Sequence, residues 1–241
     1  MEVHVTFLPE EAGDCHRRAV AVIDVVRTTT SLLVMVERGC EEVLIASSVE
    51  AARRYRGGDP GILLAGEQDG RTPEGFDFGN SPAAFAATNL AGERVVFATT
   101  NGTRALHLVR SGAVTLIACL RNRVAVAKTL RGEARALGLD VTVVCAGREG
   151  RFGLDDAYTA GSIVDAMCAI SGSDADGFTD AALAARALFR AYPDAKALLR
   201  VGRTEQHVIR LDLADDLRVC AELDQSTVVP RMGERVRLLE P

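Results

Sequence analysis

Apolar runs rich in β-branched residues recur along this chain, each separated from the next by a stretch with helical spacing. Val3–Leu8, Ala19–Val25, Glu42–Ala46, Ile62–Ala65, Arg94–Ala98, Ala113–Ala118 and Val141–Ala146 read as strands. Most are continuous rather than alternating, as expected of strands covered on both faces. Thr29–Arg38, Val49–Arg56, Gly102–Arg110 and Arg121–Leu137 read as helices, the last with Val124, Ala127, Leu130, Ala134 and Leu137 at helical spacing. This alternation implies an α/β fold, a three-layer α/β/α arrangement around a largely parallel or mixed sheet. After about residue 152 the texture turns helical, with Ala157–Ile170, Thr179–Ala191, Asp194–Leu199 and Thr204–Leu211, before strand-like Ser226–Val229 and Arg235–Leu239. SGSDADG, from Ser171 to Gly177, is the most loop-like stretch and reads as a lid or a connector. No internal repeat, low-complexity tract or long linker is legible. A single α/β domain spanning 1–241, helix-rich at its C-terminal end, is expected.

At 241 residues the chain can bury a substantial core, and 48% hydrophobic with 25% charged residues is an ordinary globular composition. No run approaches the roughly 18–20 apolar residues of a membrane helix. MEVHVTFLPEEAG lacks the basic and apolar regions of a signal peptide, so a soluble cytoplasmic protein is expected. A net charge of −5 with scattered basic residues argues against nucleic acid as a partner. The cysteines form no CxxC pair and several sit in apolar runs, which favours reduced structural thiols. His4, His16, His107 and His207 have no zinc-ligand spacing. A symmetric homodimer is the default expectation for assembly.

In a parallel α/β sheet, ligands bind beyond the carboxyl ends of the strands, and there this chain gathers its unusual polar residues. The second strand runs into Asp24, Arg27 and Thr28–Thr30, which could serve a cation and an anion together or simply cap the next helix. The fourth is followed by Glu67 and then by GFDFGNSP, which contains Asn80 and Ser81; a packed Ω-loop is the alternative reading. The fifth ends in TTNGT, Thr99–Thr103, either a turn with a helix cap or a cradle of backbone N–H groups for an anion. The seventh leads through Gly147 to Asp155 and Asp156, which suit either a helix dipole or a hard divalent cation. Acidic groups repel phosphate unless a metal intervenes, so carboxylate-bound magnesium bridging to phosphate reconciles the two sets.

IDVVRTTTS, AGEQDGRTPEGFDFGNSP, TTNGT, CAGREGRFGLDDAYTAG and DLADDLRVCAELDQSTVVP, in that order, resemble the 2-phosphosulfolactate phosphatases over nearly the whole chain. The resemblance implies Mg2+-dependent hydrolysis of 2-phospho-3-sulfolactate to 3-sulfolactate and phosphate, a step toward coenzyme M in organisms that make it. Carried over motif by motif, Asp24, Arg27 and Glu67 are the catalytic candidates, with Asp24, Glu67 and Asp156 as metal ligands. Thr28, Thr29, Asn80, Ser81, Thr100, Asn101, Gly102, Thr103 and Gly147 are the substrate-binding candidates. The family pattern has Glu-Asp where this chain has Asp155-Asp156, which separates Asp155 from Asp156 as a ligand. Asp224 faces the site in one reading and forms a turn in the other.

The expected mechanism is in-line attack by a metal-bound or carboxylate-activated water, with Arg27 and the TTNGT donors holding the anionic oxygens. An aspartyl-phosphate route through Asp24 is disfavoured, because Val26 occupies the position where haloacid-dehalogenase-type enzymes carry a second aspartate as acid. Two other readings stand beside this one: a phosphatase for another small phosphorylated acid, and a non-catalytic protein that binds an anionic metabolite.

Overall fold

Rather than joining one sheet, the apolar runs divide between two. The computed structural model describes residues 1–172, 177–210 and 213–239. One sheet contains β1 (Val3–Thr6), β2 (Arg18–Ile23), β6 (Val114–Ala118) and β7 (Asp140–Cys145), in the order β1-β7-β2-β6. The other contains β3 (Glu42–Ile45), β4 (Leu63–Gly66), β5 (Arg94–Ala98) and β8 (Val236–Leu238), in the order β4-β5-β3-β8. Every strand pairing within the two sheets is parallel. The class is therefore α/β as expected, with a second sheet that periodicity could not reveal.

The connections are α1 (Thr28–Glu37), α2 (Val49–Gly58), α3 (Pro82–Ala87), α4 (Gly102–Leu108) and α5 (Arg123–Leu137). The C-terminal portion adds α6 (Leu154–Ser171), α7 (Asp180–Ala191), α8 (Ala195–Val201), α9 (Arg203–Arg210) and α10 (Ala214–Cys220). The middle of the lid-or-connector stretch, 173–176, lies outside the described residues. So does Leu211, the last residue of the helix expected at Thr204–Leu211. Ser226–Val229 is not a strand: it is irregular chain whose Ser226 N–H bonds the Arg121 carbonyl and whose Val228 carbonyl accepts from Asn122 Nδ2. No described helix is long and apolar enough to cross a membrane.

Strand order shows a structural repetition that the sequence does not display as a repeat. The unit β2-α1-β3-α2-β4 is followed by a second unit, β5-α4-β6-α5-β7, built on the same plan. In the sheets, β2 lies between β7 and β6, and β5 lies between β4 and β3. Each unit thus supplies the middle strand of a sheet whose flanking strands come from the other. The turns after β4 and β7 match too: Gln68 bridges Arg71, Arg148 bridges Arg151, and Asp69-Gly70 and Glu149-Gly150 all have positive φ. Paired left-handed residues make the tight reversal that Asp-Gly and Glu-Gly allow.

Three cores result. Val20, Val22, Ile117 and Val144 of one sheet meet Val43, Ile45, Val95 and Phe97 of the other, together with Leu32 and Met35 of α1 and Leu106 of α4. The outer face of the first sheet packs on α5, α6 and α7, through residues such as Leu130, Ile163 and Ala182. The outer face of the second packs Leu44, Leu64 and Val96 against Ala52 and Tyr55 of α2. Both faces of both sheets are therefore covered, which accounts for the continuous apolar strands.

Candidate active site

The carboxyl ends of β2, β4, β5 and β7 open into one cavity of about 220 Å³. Asp24 follows β2 directly. Its carbonyl accepts the Thr29 N–H at 2.9 Å and its own N–H donates to Thr29 Oγ1 at 3.2 Å, so Thr29 fixes the backbone beneath the carboxylate. Gly102 closes the same spot from α4. A Cβ there would stand 2.5 Å from Asp24 Oδ2 and 2.5 Å from Thr28 Cγ2, and only glycine permits that approach.

Asp24, Arg27, Thr28, Glu67, Asn80, Thr100, Asn101, Gly147, Asp155 and Asp156 all line the cavity, although they are dispersed along the chain. Asp155 and Asp156 enter in the first turn of α6, which begins three residues earlier than the alanine-rich pattern suggested. Glu67 spans the two halves: Oε1 accepts the Thr100 N–H and Oε2 accepts the Gly70 N–H, both at 2.7 Å. Asp156 does the same elsewhere, taking N–H groups of Val25 at 2.9 Å and Gly147 at 3.0 Å. One N–H of the TTNGT segment is therefore already turned onto a carboxylate. Asn101 Oδ1 accepts the Glu149 N–H at 3.2 Å and ties the start of α4 to the turn after β7.

Other expected contributors stand behind this wall. Thr103 donates from Oγ1 to the Thr99 carbonyl and from its N–H to Thr99 Oγ1, holding the first turn of α4. Ser81 caps α3 through Ala84 and donates to Asp216 at 2.5 Å. Asp224 lies away from the cavity, where it accepts the Val124 N–H at 3.1 Å and pairs with Arg123 at 2.8 Å. Its carboxylate caps the start of α5, a long-range role that neither the site reading nor the turn reading had given it.

Two residues escaped sequence reading. Asp216 of α10 is buried and joins Arg27 through Nη1 at 3.0 Å. Its acidic neighbours in DLADDLRVC gave no sign that this one turns inward. Val208 of α9 reaches the cavity wall from a stretch that reads only as helical.

Electrostatics define what the cavity can hold. Burial lifts Asp24 to about 7; the Thr28 hydroxyl opposes the shift, Asp155 and Glu67 add repulsion, and Arg27 offsets part of it. Asp156 is also pushed far above the ordinary carboxylate range, by burial and then by Asp155 and Asp24, against the N–H bonds from Val25 and Gly147. Asp69 and Glu149 add further acidic groups to the lining, whereas its basic residues are Arg27 and Arg148. Such a site attracts a cation or protons before it accepts an anion.

Among the described residues, no three His, Cys, Asp or Glu side chains close into a metal cage. Magnesium rarely uses one; it takes one or two carboxylates and completes its shell with water and phosphate oxygens. Asn80, a residue of the cavity lining, supplies the observation that favours a guest: its buried Oδ1 has no hydrogen-bond partner, while Nδ2 donates to Thr28 Oγ1 at 3.4 Å. An orphaned buried carbonyl oxygen suits a hard cation or a ligand hydroxyl. The residues that precede α1, α4 and α6, the helices facing the cavity, offer no side-chain cap, as is also true of α5 and α10, although Thr99 Oγ1 takes the Thr103 N–H of α4. Uncapped N-termini leave positive partial charge available to an anion.

The sequence profile of a family described as 2-phosphosulpholactate phosphatase matches residues 6–235. A protein from Deinococcus radiodurans described as a probable 2-phosphosulfolactate phosphatase is 38% identical, covering 96% of this chain and 93% of its own length. One from Thermus thermophilus with the same description is 37% identical, covering 98% of this chain and 96% of its own. A more distant one, from Caldanaerobacter subterraneus, is 30% identical over 96% of this chain and 95% of its own length.

Proposed function

Since the chain belongs to the 2-phosphosulfolactate phosphatase family, we propose that it hydrolyses 2-phospho-3-sulfolactate to 3-sulfolactate and phosphate with Mg2+ as cofactor. Such a reaction serves coenzyme M biosynthesis or related sulfolactate metabolism. The proposal takes the enzyme as cytoplasmic and a symmetric dimer as its default assembly. The observation that carries it is the convergence of Asp24, Arg27, Glu67, Asp155 and Asp156 on one small cavity at the strand ends of both sheets.

Bound magnesium would neutralise phosphate charge, with Asp24 as its principal carboxylate and Asn80 Oδ1 and Asp156 beside it. The remaining work falls to the chain itself. Arg27 uses Nη1 on Asp216 and Nη2 on the Gly70 carbonyl, and keeps further N–H donors for phosphoryl oxygens. The Thr28 hydroxyl, which donates to Thr99 Oγ1 and accepts from Asn80 Nδ2, shapes the wall beside the phosphoryl group. Glu67 holds the turn after β4 against Thr100, which keeps the two halves of the cradle in register. Burial holds a proton on Asp24 toward neutrality only while the cation is absent; with magnesium bound, Asp24 would lose that proton and serve as a ligand rather than as the base for water. Val26 lines the cavity where a phospho-aspartate route would need an acid, and it has no proton to give.

Phosphate release from 2-phospho-3-sulfolactate, followed with magnesium and with a chelator, tests the reading. Magnesium-dependent turnover is expected. Turnover that ignores the chelator removes the metal, and binding without turnover favours a metabolite-binding protein. A stable aspartyl-phosphate on Asp24, trapped by acid quench, would replace water attack with a covalent route.

A further inference from the structure

We propose that Asp216 of α10 is a positioning residue for phosphoryl transfer, which sets the orientation of Arg27 without touching the substrate. The inference rests on the phosphatase reading above and adds to it a residue from the C-terminal helices.

Asp216 is 1% exposed and Arg27 is 6% exposed. A buried carboxylate needs partners on both oxygens, and this one has them on opposite sides. Oδ2 accepts from Arg27 Nη1 at 3.0 Å. Oδ1 accepts from Ser81 Oγ at 2.5 Å and from the Ala83 N–H at 3.3 Å. The carboxylate is thereby fixed to the start of α3 and cannot swing with the arginine. The far edge of the guanidinium is held as well, because Nη2 donates to the Gly70 carbonyl at 3.2 Å. Gly70 in turn is fastened to Glu67 through its N–H. The planar guanidinium is therefore held at two corners, by α10 and by the turn after β4.

This clamp has a chemical consequence. Arg27 shares the cavity with Asp24, Asp155 and Asp156, and an unrestrained guanidinium would collapse onto those carboxylates. A fixed anion behind it holds it back, so its remaining donors stay directed at an incoming phosphoryl group. Asp216 does not line the cavity, so it reaches substrate only through a neighbour that does, Arg27 on one side or Asn80 beside Ser81 on the other, and the route proposed runs through Arg27.

That dependence yields the test. Wild type, Arg27→Ala, Asp216→Asn and the double variant are compared in kcat/KM for 2-phospho-3-sulfolactate, and in orthophosphate affinity by calorimetry. Asp216→Asn keeps the shape of the side chain and removes its charge. The expected result is a loss of about tenfold or more in kcat/KM from Asp216→Asn alone, and no more than about a threefold change when it is added to Arg27→Ala. Multiplying losses, or a wild-type rate in Asp216→Asn, would overturn the proposal. Should Asp216→Asn fail to fold, Ser81→Ala removes the shorter of the two bonds that tie the carboxylate to α3 while keeping its charge. Its expected loss is smaller in the wild-type background and absent beside Arg27→Ala; a loss that persists beside Arg27→Ala also overturns the proposal. If the wild type does not hydrolyse the substrate, the phosphatase reading fails by itself. The orthophosphate cycle then decides on Asp216: an effect on phosphate binding that requires Arg27 sustains it, and independent or absent effects reject it.

Discussion

Asp24 shows how one residue can work against the fold and for the reaction. Its proton affinity is raised to about 7 by burial, then by Asp155 and Glu67, whereas an unfolded aspartate titrates near ~3.9. Between those two values the folded chain holds a proton that the unfolded chain has released. Stability of the metal-free protein therefore falls as pH rises through that window and levels off above about 7, at a cost of up to roughly 4 kcal/mol. Asp156 acts in the same direction. Thermal melts in chelator should show a higher midpoint at pH 5.5 than at pH 8, and magnesium should recover part of the loss at pH 8. In Asp24→Asn the pH dependence should flatten while turnover drops by about 10²–10⁴-fold. A flat wild-type profile would contradict the buried-charge account. Gly102→Ala probes the same point sterically: a methyl group 2.5 Å from Asp24 Oδ2 should cost about 1–3 kcal/mol and lower kcat/KM.

At the level of elements, a helix start can face a ligand or be closed off by its own side chains. Sequence placed Thr28–Thr30, Ser81 and Thr99–Thr103 at such starts, gave Asp224 to the site or to a turn, and left the readings open. Packing separates them. Thr28 faces the cavity, Thr30 Oγ1 donates back to the Val25 carbonyl at 2.8 Å, and Ser81 serves α3. Asp224 serves α5, so Asp224→Ala should lower stability by about 1 kcal/mol while leaving kcat and KM unchanged. A large drop in kcat in that variant would return Asp224 to the site. The strand expected at Ser226–Val229 fails for a related reason. Its β-branched residues suit a ladder, but Asn122 and Arg121 take up its backbone groups before a strand can pair with them.

Across the whole molecule, the dominant feature is the exchange of middle strands between the two β-α-β-α-β units. Ala19↔Val114 and Ala19↔Val141 register β2 between strands of the second unit, and Val95↔Val43 and Val95↔Leu63 register β5 between strands of the first. Neither unit can complete a sheet alone. Cutting the chain in the exposed turn between Ala91 and Gly92 should give fragments that are each unfolded by circular dichroism but recover activity when co-expressed. An independently folded N-terminal fragment would show that the exchange is not required. The exchange also explains the site, because it brings the ends of β2 and β5, one from each unit, to the same cavity.

The sequence by itself determined the local alternation of strand and helix, the polar residues that follow β2, β4, β5 and β7, and the family to which those motifs point. These are short-range properties, since hydrophobic period and chain punctuation depend on residues a few positions apart. Only the tertiary structure decided that the strands form two sheets, that Asp216 stands behind Arg27, and that Ser81 and Asp224 turn away from the cavity. Parallel pairing joins segments through backbone hydrogen bonds that carry no side-chain signature. In the same way, the role of a buried acid or hydroxyl is fixed by whichever distant group meets it when the cores close.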